Sequence, residues 1–390
     1  MWRDGSGVRM KSVWRIGWMG LSCCIAGMTV AAWSQQGSEG AAPGAQTQNP
    51  ALKQRRAAQP KNMVIRDGAI KINAVVTDAT GKPVTDLQPW DFKLLDNGQP
   101  RKVLSFRKYD GVAVKPDPPV EVILVMDVAN IPFQQVAIVR QEADQFLRRN
   151  GGHLQQPVSL ILLKDAGIEV QPRPSYDGNA IAAVMHGIQG DIRTIDAAMG
   201  GYGLLERFQL SVRQMEAIAD NEARKPGRKL LIWLGPGWPI LNRSDLGYYS
   251  EKDQRRYFDA IVDLSASLRE AQMAVYSVAP PYLGTNVFLY QAFLKGVTSA
   301  QQADIGNLAL RVLATQSGGL VMTPDNDMAG QINRCVADAN AYYRLGFDPP
   351  AAEHADEYHE LKLVADRPGL TVRTTTGYYD EPAGAATGAQ

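Results

Sequence analysis

Cysteine is scarce in this chain, which holds three cysteines among 390 residues. Cys23 and Cys24 lie in an apolar opening segment, and Cys335 is the one cysteine beyond it. A single thiol cannot form an internal disulfide, so the chain beyond the opening segment must be held together by a hydrophobic core. Its 45% content of hydrophobic residues is ample for such a core, and its length favours two domains.

The sequence also lacks the short motifs that mark common catalytic sites. It has no Gly-x-Ser-x-Gly elbow after a strand, no His-Glu-x-x-His, no phosphate-binding loop with its lysine and no dinucleotide fingerprint. The four histidines are scattered, and the acidic stretch around His354 and His359 is typical of a solvated loop. We therefore expect neither enzyme activity nor a cofactor.

The chain also lacks the excess of basic residues that is typical of proteins that bind nucleic acid. The chain carries 41 basic and 40 acidic residues, and residues 1–62 contain eight of the former and two of the latter. The remainder thus has 33 basic and 38 acidic residues, a net charge of minus five. A mildly acidic body argues against nucleic acid as a partner.

The first 62 residues are typical of export. Arg9, Lys11 and Arg15 precede an apolar stretch over 16–33 that ends in small residues, which predicts a signal peptide over 1–34 and a secreted or periplasmic protein. An uncleaved membrane anchor is the alternative, because the stretch is close to spanning length. Residues 35–62 are rich in Gln, Ala, Gly and Pro and predict a flexible linker.

Beyond the linker the hydrophobic pattern changes twice. Residues 63–117 alternate apolar and polar residues, and so do residues 341–380, which predicts antiparallel strands at both ends. Between them, 118–340 alternates helical patterns with apolar runs at 120–127, 157–163, 229–235, 273–280 and 319–324. We predict an α/β fold with a doubly wound, mostly parallel sheet, an accessory antiparallel β-sandwich-like domain built from both flanks, and a disordered tail over 381–390.

The run over 120–127 reads VEVILVMD and is followed by Val128, Ala129, Asn130 and Ile131. It resembles the first strand of a von Willebrand factor A (VWA) domain, in which Asp-x-Ser-x-Ser holds a Mg²⁺ or Mn²⁺ ion. In this chain Asp127 is kept, but Ala129 and Ile131 stand at the serine positions and offer a hard cation no oxygen.

The rest of that metal site is also incomplete. Thr194, in the segment GDIRTIDAAMGG, matches the family's threonine, whereas the run over 229–235 leads into GPGW without the usual aspartate. We therefore expect no metal ion. A metal-dependent adhesin or a hydrolase, with ligands from other loops, is the alternative.

Further segments extend the resemblance over nearly all of the chain beyond the linker. They are TDATGKPVTDLQPWDFKLLDNGQPRKVLSF, AYYRLGFDPP and GYYD. Together with the VWA-like core, they resemble the VWFA-related domain family of acidobacterial secreted proteins. The resemblance implies a VWA fold and an extracytoplasmic location, and it defines no biochemical activity.

Two long loops concentrate aromatic residues. The loop after 229–235 carries Trp238, Tyr248 and Tyr249, and the loop after 273–280 carries Tyr282, Phe288 and Tyr290. Loops at the carboxyl ends of parallel strands form the ligand edge of such sheets, and aromatic residues anchor protein interfaces. We expect these side chains to bind a protein partner, with packing against each other inside the loops as the alternative.

Overall fold

The structure is a computed structural model that describes residues 70–171, 173–187, 200–238, 240, 250–281 and 288–382. The expected signal peptide (1–34), the linker (35–62) and most of the expected tail lie outside the described residues. So do Thr194, Tyr248, Tyr249 and Tyr282. Within the described ranges, no helix combines the length and apolarity needed to cross a membrane.

Strands at both ends of the chain flank a segment in which strands and helices alternate. In chain order the elements are β1 (Ile70–Thr77), β2 (Phe92–Asp96), β3 (Gln99–Arg101), β4 (Ser105–Tyr109), β5 (Glu121–Asp127), α1 (Phe133–Leu147), β6 (His153–Lys164), β7 (Gly167–Val170), β8 (Ser175–Asp177), α2 (Gly178–Gly187), α3 (Gly200–Ala223), β9 (Lys229–Leu234), α4 (Glu251–Glu270), β10 (Met273–Val278), α5 (Leu310–Gln316), α6 (Met328–Ala337), β11 (Tyr342–Phe347), β12 (Glu357–Ala365), β13 (Thr371–Arg373) and β14 (Gly377–Asp380).

The central sheet has the order β10-β9-β5-β6-β7, and its first four strands are parallel. Successive residues of β5 point to opposite faces. Val122, Leu124 and Met126 pack with α1, α2 and α6, whereas Ile123 and Val125 pack with α3, α4 and α5. Because helices cover both faces, the strands are apolar throughout. The predicted α/β fold with a mostly parallel central sheet is confirmed.

Two details of this sheet differ from the sequence-based expectation. β7 and β8 pair antiparallel with β6, after the chain turns back at Gly167 with φ +120°. The expected strand over 319–324 is reduced to one parallel bridge between Ser277 and Val321. Two backbone hydrogen bonds form this bridge: Ser277 N donates to Leu320 O, and Met322 N donates to Ser277 O. They hold the segment against β10 at Ser277 but do not continue it as a strand.

The strands from the two flanks pair with each other in two antiparallel sheets, β13-β1-β11-β4 and β14-β12-β2-β3. Ile72 pairs with Leu345, and Leu94 pairs with Leu363. Their inward faces bury one common core that includes Tyr343 and other residues of both sheets. The opposite face of the first sheet packs on the α/β core through Tyr342. The predicted domain limits at residues 118 and 341 remain predictions.

Candidate functional site

The strand order of the central sheet changes direction at the carboxyl ends of β5 and β9. After β5 the chain adds β6 on one side of β5 and then crosses to form β9 on the other side. The connecting helices α1 and α3 accordingly lie on opposite faces. This reversal between β5 and β9 is the topological switch point, where open α/β sheets bind their ligands.

Asp127, the last residue of β5, lies at this point and is fully buried. Its Oδ1 accepts hydrogen bonds from Asn130 N and Asn130 Nδ2, both at 3.0 Å. Its Oδ2 accepts from Trp233 Nε1 at 2.7 Å and from Asn130 Nδ2 at 3.0 Å. Asn130 Nδ2 also donates to Ser211 Oγ on α3, 2.9 Å away. We call Asp127, Asn130, Ser211 and Trp233 the Asp127 cluster.

The Asp127 cluster is closed to solvent on every side. Its four members are at most 7% exposed, and the side chains of Ala129 and Ile131 beside it are buried too. Gly235 follows β9 with φ +146°, and a Cβ added there would stand 3.1 Å from Asp127 Cβ. The backbone at Gly235 and the side chain of Ile131 therefore lie close against Asp127.

Burial dominates the electrostatics of the cluster. Removal from water raises the pKa of Asp127 from 3.8 to about 6, although the hydrogen bonds from Trp233 and Asn130 act in the opposite direction. A carboxylate in this setting is held by N–H donors, which a metal ion would have to displace.

These residues do not fit a divalent cation. Both oxygens of Asp127 face N–H groups, and Ala129 and Ile131 contribute hydrocarbon where oxygen ligands would be needed. Elsewhere in the described ranges, no group of three His, Cys, Asp or Glu side chains could hold a metal ion. Thr194, the other expected position, lies outside those ranges.

The expected aromatic edge needs a correction at Trp238. We expected Trp238 to bind a protein partner, with packing inside the loops as the alternative; Trp238 is 3% exposed and donates from Nε1 to Leu308 O at 3.0 Å, as the alternative requires. Its ring meets Trp233 edge-on, with centroids 5.3 Å apart. The physical reason is that β9 leads directly into the hydrophobic layer under α4 and α5, where a large apolar ring is stabilised by burial.

The second aromatic loop retains exposed area. Tyr290 is half-buried in the 3₁₀ turn Leu289–Phe293, and Phe288 just before it is 63% exposed. The structure does not bring these residues together with Trp238 as one exposed surface. Tyr248, Tyr249 and Tyr282 cannot be placed, since they lie outside the described residues.

A second buried polar cluster was missed in the sequence. His359, expected in a solvated loop, lies on β12 and is 2% exposed. His359 Nδ1 lies 2.9 Å from Asp96 Oδ1, and the Tyr378 hydroxyl donates to Asp96 Oδ2 at 2.7 Å. The alternation in HELKLV puts His359 on the same face as Leu361 and Leu363, and this signal could have revealed its burial.

Comparisons with known proteins return weak structural likeness only. No family model and no curated protein matches the chain. The pilus adhesin SpaC from Lactobacillus rhamnosus GG is 11% identical, with 75% of this chain and 48% of that chain covered and a TM-score of 0.34. Proximal thread matrix protein 1 from the mussel byssus is 10% identical, with 57% and 48% covered and a TM-score of 0.30.

The VWA domain of SpRpn10 is 15% identical over 55% of this chain and 95% of that domain, with a TM-score of 0.26. This chain spans about half the length of the byssus and pilus chains that it matches. Similarities this low do not assign the chain to the family of any of these proteins.

Proposed function

We propose that this chain is a secreted or periplasmic binding module with a VWA-like fold, which recognises a protein partner without a metal ion and without catalysis. The observation that carries the proposal is the Asp127 cluster. At the switch point, where a VWA domain would hold its ion, both carboxylate oxygens of Asp127 in this chain accept hydrogen bonds from Asn130 or Trp233. The position serves the scaffold, so recognition falls to the surrounding loops.

The loop between β10 and α5 supplies the aromatic surface for this role. Phe288 is 63% exposed and Tyr290 is half-buried beside it. Exposed aromatic side chains contribute large apolar area at little cost in rotamer entropy, which makes them frequent anchors of interfaces. Trp238 supports this loop from within the core.

Site-specific crosslinking tests the proposal. A photoreactive residue replaces Phe288 in one version of the chain and Trp90, which is 77% exposed on the β flank, in a control version. We expect envelope proteins to be captured from position 288 and not from position 90. The captured partner is then titrated against the purified chain with and without chelator, and binding should be insensitive to chelator and weakened by Phe288→Ala. Chelator-sensitive binding, or equal binding by the variant, would contradict the proposal.

A hydrolase is the second candidate, and the Asp96–His359 pair is the observation that favours it. An aspartate that orients a histidine is half of a common catalytic arrangement. His359 Nε2, however, is buried with no hydrogen-bond partner, and it lies 3.8 Å from Glu357 Oε1. We interpret the pair as a structural link between β2 and β12. Hydrolysis of ester or peptide substrates that is abolished by His359→Gln in a folded protein would reverse this interpretation.

A further inference from the structure

A cleft opens at the end of the molecule opposite the Asp127 cluster. It lies beside the start of β10, with Met273 in its wall, and it encloses about 930 Å³ including the part open to solvent. One wall comes from Lys71 and Asn73 on β1, and another comes from Leu268 and Arg269 on α4. Val297 and Asn307 of the loop between β10 and α5 also line the cleft, but Phe288 and Tyr290 of the surface proposed above are not among its described lining residues.

The charge of the cleft is one-sided. Lys71, Arg228 and Arg269 line it, and no Asp or Glu is among its described lining residues. The chain beyond residue 62 has a net charge of minus five, so the positive charge of the cleft is opposite in sign to the net charge of this part of the chain. Arg228 is 3% exposed, and its Nε has no hydrogen-bond partner even though Nη1 donates to Asp338 O at 2.6 Å.

The cleft also exposes a strand edge. β13 pairs with β1 only along Val75, Val76 and Thr77. Beyond this point the chain after β13 diverges from β1, because Thr376 N donates to Gln316 O at 3.0 Å. The wedge between β1 and residues 375–377 is the cleft.

The direction of the β1 backbone groups follows from two hydrogen bonds. Val76 O accepts from Val84 N on one side of β1, and Asn73 O accepts from Thr374 Oγ1 on the other side. Backbone groups alternate along a strand, so Lys71, two residues before Asn73, directs its N–H and C=O to the cleft side. A strand edge with this orientation can pair with another extended chain.

We propose that the cleft binds an extended acidic peptide segment of a protein partner, which adds as a short strand to the open edge of β1 at Lys71. Acidic side chains of the segment meet Lys71 and Arg269, and its apolar side chains contact Leu268 and Leu313 in the cleft wall. Backbone pairing fixes the register, and the cationic residues select the charge.

Fluorescence anisotropy on the full chain tests the proposal, with a short labelled peptide in which Glu alternates with Val. The expected result is saturable binding that a peptide with Lys in place of Glu does not show. Lys71→Glu together with Arg269→Glu should weaken binding at least about tenfold and create binding of the Lys peptide. Lys362→Glu, which reverses the charge at one exposed position on β12 just as each of these two substitutions reverses one charge, should have no effect.

Two further arms separate the ligand classes. N-methylation of alternate peptide bonds removes the strand's N–H donors, and it should abolish binding if the segment pairs with β1. Free glutamate and inorganic phosphate should not compete at concentrations that saturate the peptide site. Competition by either ion at those concentrations, indifference to N-methylation, or equal binding by the doubly reversed chain with an unchanged melting temperature would overturn the proposal.

Discussion

Trp233 on β9 donates its indole N–H to Oδ2 of Asp127 on β5 across 2.7 Å, and both side chains are fully buried. The two strands are neighbours in the central sheet, and the bond joins them at the switch point. A tryptophan donor thus takes the place at which a metal ion would need an open carboxylate oxygen. The bond is strengthened by the charge of Asp127 and by burial.

Replacement of Trp233 by Phe should lower the free energy of unfolding by about 2 kcal/mol or more, because a buried carboxylate loses a donor. Trp238→Phe is the matched control, since it removes a similar ring and a bond to the neutral Leu308 carbonyl. Urea unfolding of both variants measures the difference. The excess cost of Trp233→Phe should shrink below about pH 6, where Asp127 becomes protonated. Equal costs at every pH would contradict a charge-assisted bond.

Divalent cations should leave the protein unchanged. The oxygens of Asp127 are occupied by Asn130 and Trp233, and Ala129 and Ile131 provide no ligand. Calorimetric titration with Mg²⁺ or Mn²⁺ should show no saturable site, and chelator should not shift the melting temperature. A saturable isotherm that Asp127→Ala abolishes would show that a metal site exists.

Trp238→Ala should destabilise the fold by about 3 to 5 kcal/mol, because it opens a cavity in the layer under α4 and α5. Phe288→Ala should change the free energy of unfolding far less, since Phe288 is 63% exposed. Thermal and urea unfolding of the two variants measures this contrast. A Trp238→Ala protein of native stability would show that Trp238 is not part of the core.

Glu216 should make stability fall as the pH rises toward neutrality. Burial and, to a lesser extent, the charges of Asp263 and Asp220 raise the pKa of Glu216 from 4.5 to about 7, although Arg213 acts in the opposite direction. Between these two values the folded chain keeps a proton that the unfolded chain loses, so the free energy of unfolding decreases as the pH rises through this window.

Glu216→Gln removes this dependence. The variant should be more stable than the parent by on the order of 1 to 3 kcal/mol at about pH 8, with little difference at about pH 4. Asp259→Asn, on the neighbouring helix α4, serves as the control. Parallel stability curves for the parent and Glu216→Gln across the whole range would rule out a raised pKa at Glu216.

We predict that the chain is exported and that the mature protein begins between Trp33 and Gln36. Basic residues, an apolar stretch and small residues follow one another in the order typical of a cleaved signal peptide. Intact mass and terminal sequencing of material from the culture medium or periplasm measure the start. Recovery of the uncleaved chain from the membrane fraction would favour the anchor instead.

The sequence predicted the central sheet and the location of Asp127 because both depend on local patterns. The eight residues 120–127 alone show an apolar run that ends in aspartate. The donor Trp233 was not predicted, since it comes from a strand that follows more than a hundred residues later and is paired by the fold. The burial of Trp238 was predicted only as an alternative, for the same reason. Its position in a loop of the sequence gives no indication that α4 and α5 pack over it.

The pairing of the two flanks has a consequence for the order of synthesis. Asn73 and Arg344 touch in adjacent strands although 271 positions separate them. β1 and β2 are therefore synthesised long before β11 and β12. Every strand of the central sheet is also synthesised before β11. The antiparallel sheets close last, and until then β1 lacks both β11 and β13, and β2 has only β3 beside it. A message truncated just before residue 342 would yield a chain that contains every strand of the central sheet but lacks β11, the strand that lies between β1 and β4.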